Sequence, residues 1–531
     1  MKQRYYQPAT EVDPTPLVAD LCVYAATAAG VMAAIQARRS GLSVALLNPG
    51  QHVGGMTSGG LSFTDVGNKF VIGGLARELY RRIGAHYGKP EEWCFEPSVA
   101  TTVLHEMMKE AGVKALHGQY VAEATMGVDP AGQPRIQEIA TTSGLRVRAS
   151  YFLDCSYEGD LMARAGVGFR VGREAMEEFG EIHNGQQCRS THNFERAVDP
   201  YQRPGDPSSG LLPGIDPDPT YFPGSADARI QAYNFRVCMT RRKDLRIPFP
   251  KPDGYDRGEH ELLARYFAVG GRYELNKFDR IQGDKTDTNN HGPISTDFIG
   301  MNHRWPEGDY AEREAIFQAH LNYQQGHHWF LANDPAVPEE IRLRYSEWGL
   351  PSDEFTGTGH WPHQLYVREG RRLEGMAMLN QNHCLGLLDV EESVGMGAYM
   401  LDSHNCRRMV HNGYVLNEGD VQVMLPRPYP ISLSTLRPKV GECANLMVPV
   451  CVSASHIAFG SLRMEPVFMI LAQSAALAAV LAFESGYQAV QEISYQHLKP
   501  WLEKAGQILE CDANIPTGSK AMHVSLEETI P

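Results

Sequence analysis

DLCVYAATAAGVMAAIQARRSGLSVALLNPGQHVGGMTSGGLSFT, residues 20–64, opens on the apolar run Leu21-Cys22-Val23-Tyr24, the pattern of a buried parallel strand. Small residues follow at once, Ala25-Ala26-Thr27-Ala28-Ala29-Gly30. A helical pattern comes next, with Val31, Ala34, Ile35 and Arg38 at three- and four-residue spacing, closed by Gly41. Ser43-Val44-Ala45-Leu46-Leu47 reads as a second strand. A strand, tight turn, helix and strand in this order place a dinucleotide diphosphate on a helix N-terminus. The match to G-x-G-x-x-G is partial. Ala25 stands at the first glycine, Ala28 or Ala29 near the second, and Gly30 keeps the third. Asn48 replaces the acid that holds a ribose hydroxyl, and an amide still hydrogen-bonds without charge. The motif alone fits a dinucleotide site or an ordinary, tightly packed βαβ unit.

The loop that follows points to a flavin. Gly54-Gly55-Met56-Thr57-Ser58-Gly59-Gly60 exposes backbone N–H groups and two hydroxyls, and Gly73-Gly74 precedes a helix over Leu75–Ile83. A ribityl chain and ring lie against such backbone. A nicotinamide enzyme does not need it.

From Val23 to Thr64 the chain resembles the FAD-dependent oxidoreductase family whose members open with a GGTPAGV-type turn and continue into PGxHxGGMxxxGLxxTD; some carry the label xanthan lyase. Three more segments match the family pattern: FLDCSYEGDL at 152–161, WPHQLYVRE at 361–369, and NLMVPVCVSASH at 445–456 continuing to Arg463-Met464-Glu465-Pro466. The resemblance runs from about residue 20 to 485 and implies an α/β fold with a Rossmann-like, glutathione-reductase-type FAD-binding domain. FAD is the implied cofactor, and the implied contacts are Ala25, Ala26, Ala28, Ala29, Gly30, Asn48, His52, Gly54, Gly55, Met56, Thr57, Ser58, Gly59, Asp154 and Ser455. His52 also raises covalent histidyl attachment, with simple packing as the alternative.

Composition agrees with a soluble globular enzyme. At 531 residues two or three domains are expected, with 43% hydrophobic and 21% charged residues. The net charge of −14 argues against nucleic acid and anionic membrane surfaces as partners. Ten cysteines without a C-x-x-C pair speak against a metal cluster or disulfide framework and for a reducing, cytoplasmic setting. MKQRYYQPATEVDPTP has no apolar core for a signal peptide, and the alanine-rich Val467–Phe483 reads as a buried helix rather than a membrane span.

Along the chain, residues 1–19 read as an arm and 20–170 as the first part of the FAD domain. The latter includes a helix over 97–112, a strand at 113–116, an antiparallel meander over 120–151 and an apolar strand at 152–155. Residues 171–434, dense in proline, aromatics and histidine, read as a loop-rich α+β substrate or cap domain. Residues 435–531 return to the FAD domain with the run Leu446–Val450, the helix Val467–Phe483 and a helix over Ser494–Lys504, so that domain is discontinuous. The tail after Asn514 reads as polar surface.

A flavin performs the electron chemistry, so the protein must aim the substrate and move one proton. The candidates are His363, Arg368, His404, His456 and Arg463. Each has a plain structural alternative. Arg368–Glu369 and Arg371–Glu374 also suit solvated helix pairs, Asp402–Asn405 a capped turn, His456 a buried satisfied histidine, and Arg463–Glu465 an ion pair. The leading reading is hydride transfer from a CH–OH of a sugar, glycoside or polyol, with His456 or His363 as base. A second is redox chemistry next to a carboxylate clamped by Arg368 and Arg463. A third is a non-catalytic relative with weakened FAD binding. With no second G-x-G-x-x-G unit, a separate nicotinamide site is not expected. Oxygen, a quinone and a partner protein stay open as electron acceptor, and so does the oligomeric state.

Overall fold

The computed structural model describes residues 3–10, 12, 15–272, 276–512 and 515. Strand β1 (Leu17–Tyr24) runs into helix α1 (Ala28–Arg39), and β2 (Val44–Asn48) returns parallel to β1 with Val23 opposite Leu46. Strands β3 (Ala115–His117), β4 (Val121–Val128), β5 (Pro134–Thr141) and β6 (Arg146–Asp154) complete a sheet of order β3-β2-β1-β6-β5-β4. Leu446–Met447 adds a further parallel strand on β6. The C-terminal part of the chain thus returns to this sheet. Neighbours of β1 leave it in opposite directions, so a crevice opens at its carboxyl end, where ligands of such sheets bind.

Meander and parallel sheet share one strand. One edge of β6 pairs parallel with β1 from Val147 to Asp154; on the other edge its start pairs antiparallel with β5 (Ala140 opposite Arg146) and its end pairs parallel with Leu446–Met447. The sequence pattern predicts a meander ending at 151 and a separate strand at 152–155; the structure has one strand across both, Arg146–Asp154. Asn445 welds the junction, its amide bonding Ile136 on both backbone sides and the Ser150 carbonyl.

Alanines explain how the core closes. Helix α1 packs on the helix Glu465–Ser485, and both present small side chains, so their backbones approach closely. Glu465–Ser485 is long and apolar enough to cross a bilayer, yet 94% of its most apolar stretch is buried in this core. Helix α2 (Gly55–Ser58) lies in the glycine-rich loop, α3 (Gly74–His86) and α4 (Pro97–Glu110) flank α1, and Tyr495–Lys504 packs outside the long helix.

The middle of the chain builds a second body around a three-stranded antiparallel sheet, Asn276–Ile281, Lys285–Asn290 and Val237–Thr240. The 24-residue helix Tyr310–Asn333, N-capped by Asp309, is tied to the residue two before the sheet's strand Val237–Thr240. No apolar period announces this helix, because its buried positions include His320, Gln324, His327 and His328. The Gln324 amide both accepts from and donates to the Phe235 backbone, standing in for a sheet partner. The segment expected as an aromatic strand or short helix, 361–369, is irregular, with a single bridge between Asn234 and Tyr366. The expected polar tail after Asn514 lies outside the described residues, Ile515 apart.

Candidate active site

The crevice forms at the carboxyl ends of β1, β2 and β6. A cavity of about 270 Å³ is lined there by Ala25, Ala26, Thr27, Asn48, His52, Gly55, Ser156 to Glu158 and His363 to Leu365. Ala25 occupies the first glycine position and takes a glycine's conformation, with φ at +72°. An L-residue there carries about 1–2 kcal/mol of strain. Gly30 is irreplaceable by the same geometry, because a Cβ on it would fall 1.9 Å from the Ala25 carbonyl oxygen. Thr27 ties the turn down, its hydroxyl accepting from Gly30 N and donating to the Cys155 carbonyl. No acid stands in the first turn of α1, so Ala28 and Ala29 head it with the partial positive charge that favours a phosphate. Because glycine also loosens the unfolded chain, Ala25→Gly should raise stability by a net of about 0.5–1 kcal/mol. A thermal melt with FAD removed checks this, and an unchanged or lower midpoint contradicts the strain.

Asn48 is turned to the chain itself. Its amide oxygen accepts from Ala26 N at 3.2 Å, and its nitrogen donates to the carbonyls of Gly50 and His52. It holds the turn open at the place where the family pattern puts a ribose-binding acid. Asp154 is equally engaged, accepting from Ser156 and from Met162 N, and burial pushes it up to about 6. Ser455 caps the helix His456–Leu462 and donates to Glu181.

The glycine-rich loop is held by close contacts with the protein around it, while Gly55 faces the cavity. Gly54 N donates to Ala26 O, Ser58 Oγ to Val53 O, and Met56 N to the Tyr157 hydroxyl. Cβ atoms on Gly59 and Gly60 would fall 2.4 Å from the Gln364 Cβ and 2.2 Å from the Arg236 carbonyl oxygen. Thr57 and Tyr157 donate to the buried carboxyl of Glu465 at 2.7 Å each. Burial raises Glu465 to about 7 against the two hydrogen bonds, so the folded protein binds a proton that the unfolded chain releases above pH 4.5. Stability falls as pH rises from about 4.5 to 7 and then levels off, by roughly 3 kcal/mol at most. Glu465→Gln should flatten that slope in denaturant titrations across the window; a slope equal to the parent's excludes Glu465 as its source.

Beyond the loop lies a buried polar chamber. The segment 363–368 joins the two: His363 and Leu365 line the crevice, while Tyr366 and Arg368 belong to the chamber. Tyr366 lies between two guanidinium groups, Arg368 at 4.8 Å and Arg463 at 5.7 Å from its ring centre. Arg368 pairs with Asp297 at 2.9 Å, and Arg463 pairs with Asp402 at 2.9 Å while donating to the Tyr366 hydroxyl. His404 bridges the aspartates, with Nδ1 2.7 Å from Asp297 and Nε2 3.5 Å from Asp402. Arg236 spans Asp287 and Asp65, and Tyr399 reaches Asp65. Among these groups the side chains of Asp65, Asp402 and His404 are 21%, 14% and 10% exposed, and Tyr399 is also partly exposed. His404 and the arginines hold Asp402 and Asp297 low against the effect of burial.

The remaining candidates separate. His456 is buried, with Nδ1 on Glu369 at 2.8 Å and Nε2 on Ser403 Oγ at 3.0 Å, so both ring nitrogens are occupied. His363 stacks on His52 at 4.0 Å, and its Nε2 has no partner. Burial, and the neighbouring His52, keep it neutral. Arg368–Glu369 and Arg371 are buried rather than solvated: Glu369 binds Arg372 and His456, and Arg371 binds Asp160. Asp65, Arg236, Asp287 and Asp297 went unnoticed in the sequence, and Glu369 was read only as a neighbour of Arg368, because nothing marks them as partners across the chain.

A helix terminus suited to a diphosphate, a glycine loop leading from it and a cluster of buried charged groups beyond are the parts expected of a flavin-dependent oxidoreductase. The chain belongs to the FAD dependent oxidoreductase family, whose model matches residues 20–502, and its cofactor is FAD. Among solved structures it is similar to THI4 of Thermovibrio ammonificans, 19% identical over 30% of this chain and 66% of that one (TM-score 0.23). It is also similar to a flavin monooxygenase from Stenotrophomonas maltophilia, 14% identical over 26% and 38% (TM-score 0.19). A cyclohexanone monooxygenase from Rhodococcus sp. Phi1 bound to NADP+ matches at 17% over 26% of each chain (TM-score 0.21). The chain spans less than two thirds of each of these structures, and likenesses this partial carry no argument here. No curated protein matches the chain significantly.

Proposed function

We propose that this oxidoreductase oxidises a CH–OH group of a neutral, hydroxyl-rich small molecule, a sugar, glycoside or polyol, with His404 taking the hydroxyl proton. Bound FAD supplies the hydride acceptor. The observation that carries the reading is the pairing of Arg236, Arg368 and Arg463 with aspartates, which leaves Asp65, Asp402, His404 and Tyr399 as the partly exposed groups. Carboxylate oxygens accept hydroxyl hydrogen bonds and repel a substrate carboxylate. That disfavours the reading in which Arg368 and Arg463 clamp an acid, since each guanidinium would first have to give up its aspartate.

In this reading Asp297 fixes His404 with the proton on Nδ1, which leaves Nε2 as the acceptor. His363 and His52 belong to the cofactor crevice, and His456 positions Ser403 beside His404. A cytoplasmic location is supported by ten free cysteines. Anaerobic mixing of the yellow protein with a panel of sugars, polyols and hydroxy acids tests the assignment. Bleaching near 450 nm by neutral polyols supports it; bleaching by carboxylates alone overturns it.

A further inference from the structure

The cofactor crevice is covered by a segment that no functional motif includes. Gln3, Arg4, Tyr5 and Gln7 line the same cavity as Ala25, Ala26, Thr27 and Asn48. The segment is fastened at both ends and to both bodies. On the helix Tyr310–Asn333, Glu314 accepts from Tyr5 N and Tyr6 N at 2.8 Å, and Gln318 donates to Gln3 O at 2.7 Å. On the FAD domain, Gln7 N donates to the Tyr120 hydroxyl at 3.1 Å, Gln51 donates to Gln7 O, and Ala9 N donates to Gly118 O. Tyr6 stacks on Tyr310 with ring centres 5.3 Å apart, and Tyr5 meets Trp305 edge-on at 4.8 Å. This is an anchored strap over the crevice.

One side chain of the strap is left over by this bonding. Arg4 lines the cavity, is exposed, and makes no ion pair or hydrogen bond among the described residues. The other charged group on the cavity wall is Glu158, which burial pushes toward its neutral form. The opposite wall carries the turn and helix terminus that suit a diphosphate and holds no cationic side chain.

We propose that the strap Gln3–Gln7 is part of the FAD site and that Arg4 pairs with the cofactor diphosphate, closing the dinucleotide half of the crevice. A guanidinium supplies the charge-assisted bonds to phosphate oxygens that a helix terminus gives only in part. The assignment also accounts for the alanine turn. With Ala25 and Ala26 in place of glycines, contacts from the far side of the crevice supply binding that the fingerprint forgoes. The inference rests on the FAD assignment.

The test is made on the full chain purified with its flavin. Arg4→Gln, an exposed change that leaves the fold intact, should weaken FAD binding about fivefold to twentyfold, read from flavin fluorescence as the cofactor dissociates on dilution. Arg4→Lys should recover most of that loss. ADP, used as a competitor of FAD rebinding, should lose affinity in Arg4→Gln by a similar factor, whereas adenosine should bind parent and variant alike. A chain lacking residues 1–9 should release FAD at least as fast as Arg4→Gln. FAD and ADP affinities within twofold of the parent in Arg4→Gln overturn the role of Arg4, and equal loss of adenosine shows a general distortion instead of a diphosphate contact. A parent that binds no FAD at all contradicts the cofactor assignment itself, separately from the strap.

Discussion

His404→Ala is expected to lower the rate of substrate-driven flavin reduction by about a thousandfold while leaving FAD content unchanged. A positioned general base contributes about 10²–10⁴ to a proton transfer. His404 is the chamber histidine with a ring nitrogen available to a substrate. Asp297 holds Nδ1 at 2.7 Å, and Nε2 lies 3.5 Å from the Asp402 carboxylate, long for a hydrogen bond. The same change at His456 should act differently. Its two ring nitrogens are spent on Glu369 and Ser403, so His456→Ala leaves a buried carboxylate with one partner fewer and should lower the melting temperature more than the rate. Stopped-flow reduction at saturating substrate, read beside a thermal melt of each variant, separates the two. Reduction within threefold of the parent in His404→Ala would remove it as the base and return the role to His363, whose Nε2 is also without a partner.

The contrast between these histidines shows what the sequence could and could not convey. The crevice is legible because its parts are neighbours in the chain: a strand, a turn of small residues, a helix and a glycine loop lie within residues 20–64. The chamber is assembled from residues far apart. His404 meets Asp297 across 107 positions and His456 meets Glu369 across 87, with no local pattern to join them. Arg368–Glu369 looks like a solvated helical pair because charged neighbours usually are. Here the segment is irregular, and each member finds its partner on another part of the fold. Gly59 and Gly60 were legible as glycines with a purpose, yet what their missing Cβ atoms admit is Gln364 and the Arg236 carbonyl. The arm was legible only as a proline-bearing lead-in, since its seat depends on Tyr120, Glu314 and Gln318.

Asp287→Ala should destabilise the protein by about 3–5 kcal/mol and release FAD, although Asp287 lies more than 220 positions from the glycine loop. Its carboxylate is fully buried and accepts four hydrogen bonds: from Arg236 Nε and Nη2 at 2.8 and 2.9 Å, and from Ser62 N and Phe63 N at 2.9 and 3.0 Å. It therefore ties the outgoing end of the flavin loop to the chamber in a single group. Alanine would leave two backbone N–H groups unpaired, and would leave the Arg236 guanidinium, 1% exposed, with only Asp65 at 3.4 Å. An uncompensated buried cation is the larger part of that cost. Removing both charges tests this directly. In Arg236→Leu/Asp287→Leu the unpaired charge is gone, so the double variant should be less destabilised in denaturant titrations than Asp287→Ala. Its loop is still released from Ser62 and Phe63, so FAD should dissociate faster than from the parent even where much of the stability returns. Stability loss below 1 kcal/mol in Asp287→Ala, or a double variant worse than the sum of its parts, would mean that the loop is held by its glycine packing alone. The predicted separation, with stability following the charge balance and flavin retention following the two backbone bonds, makes Asp287 the residue through which the chamber holds the cofactor loop in shape.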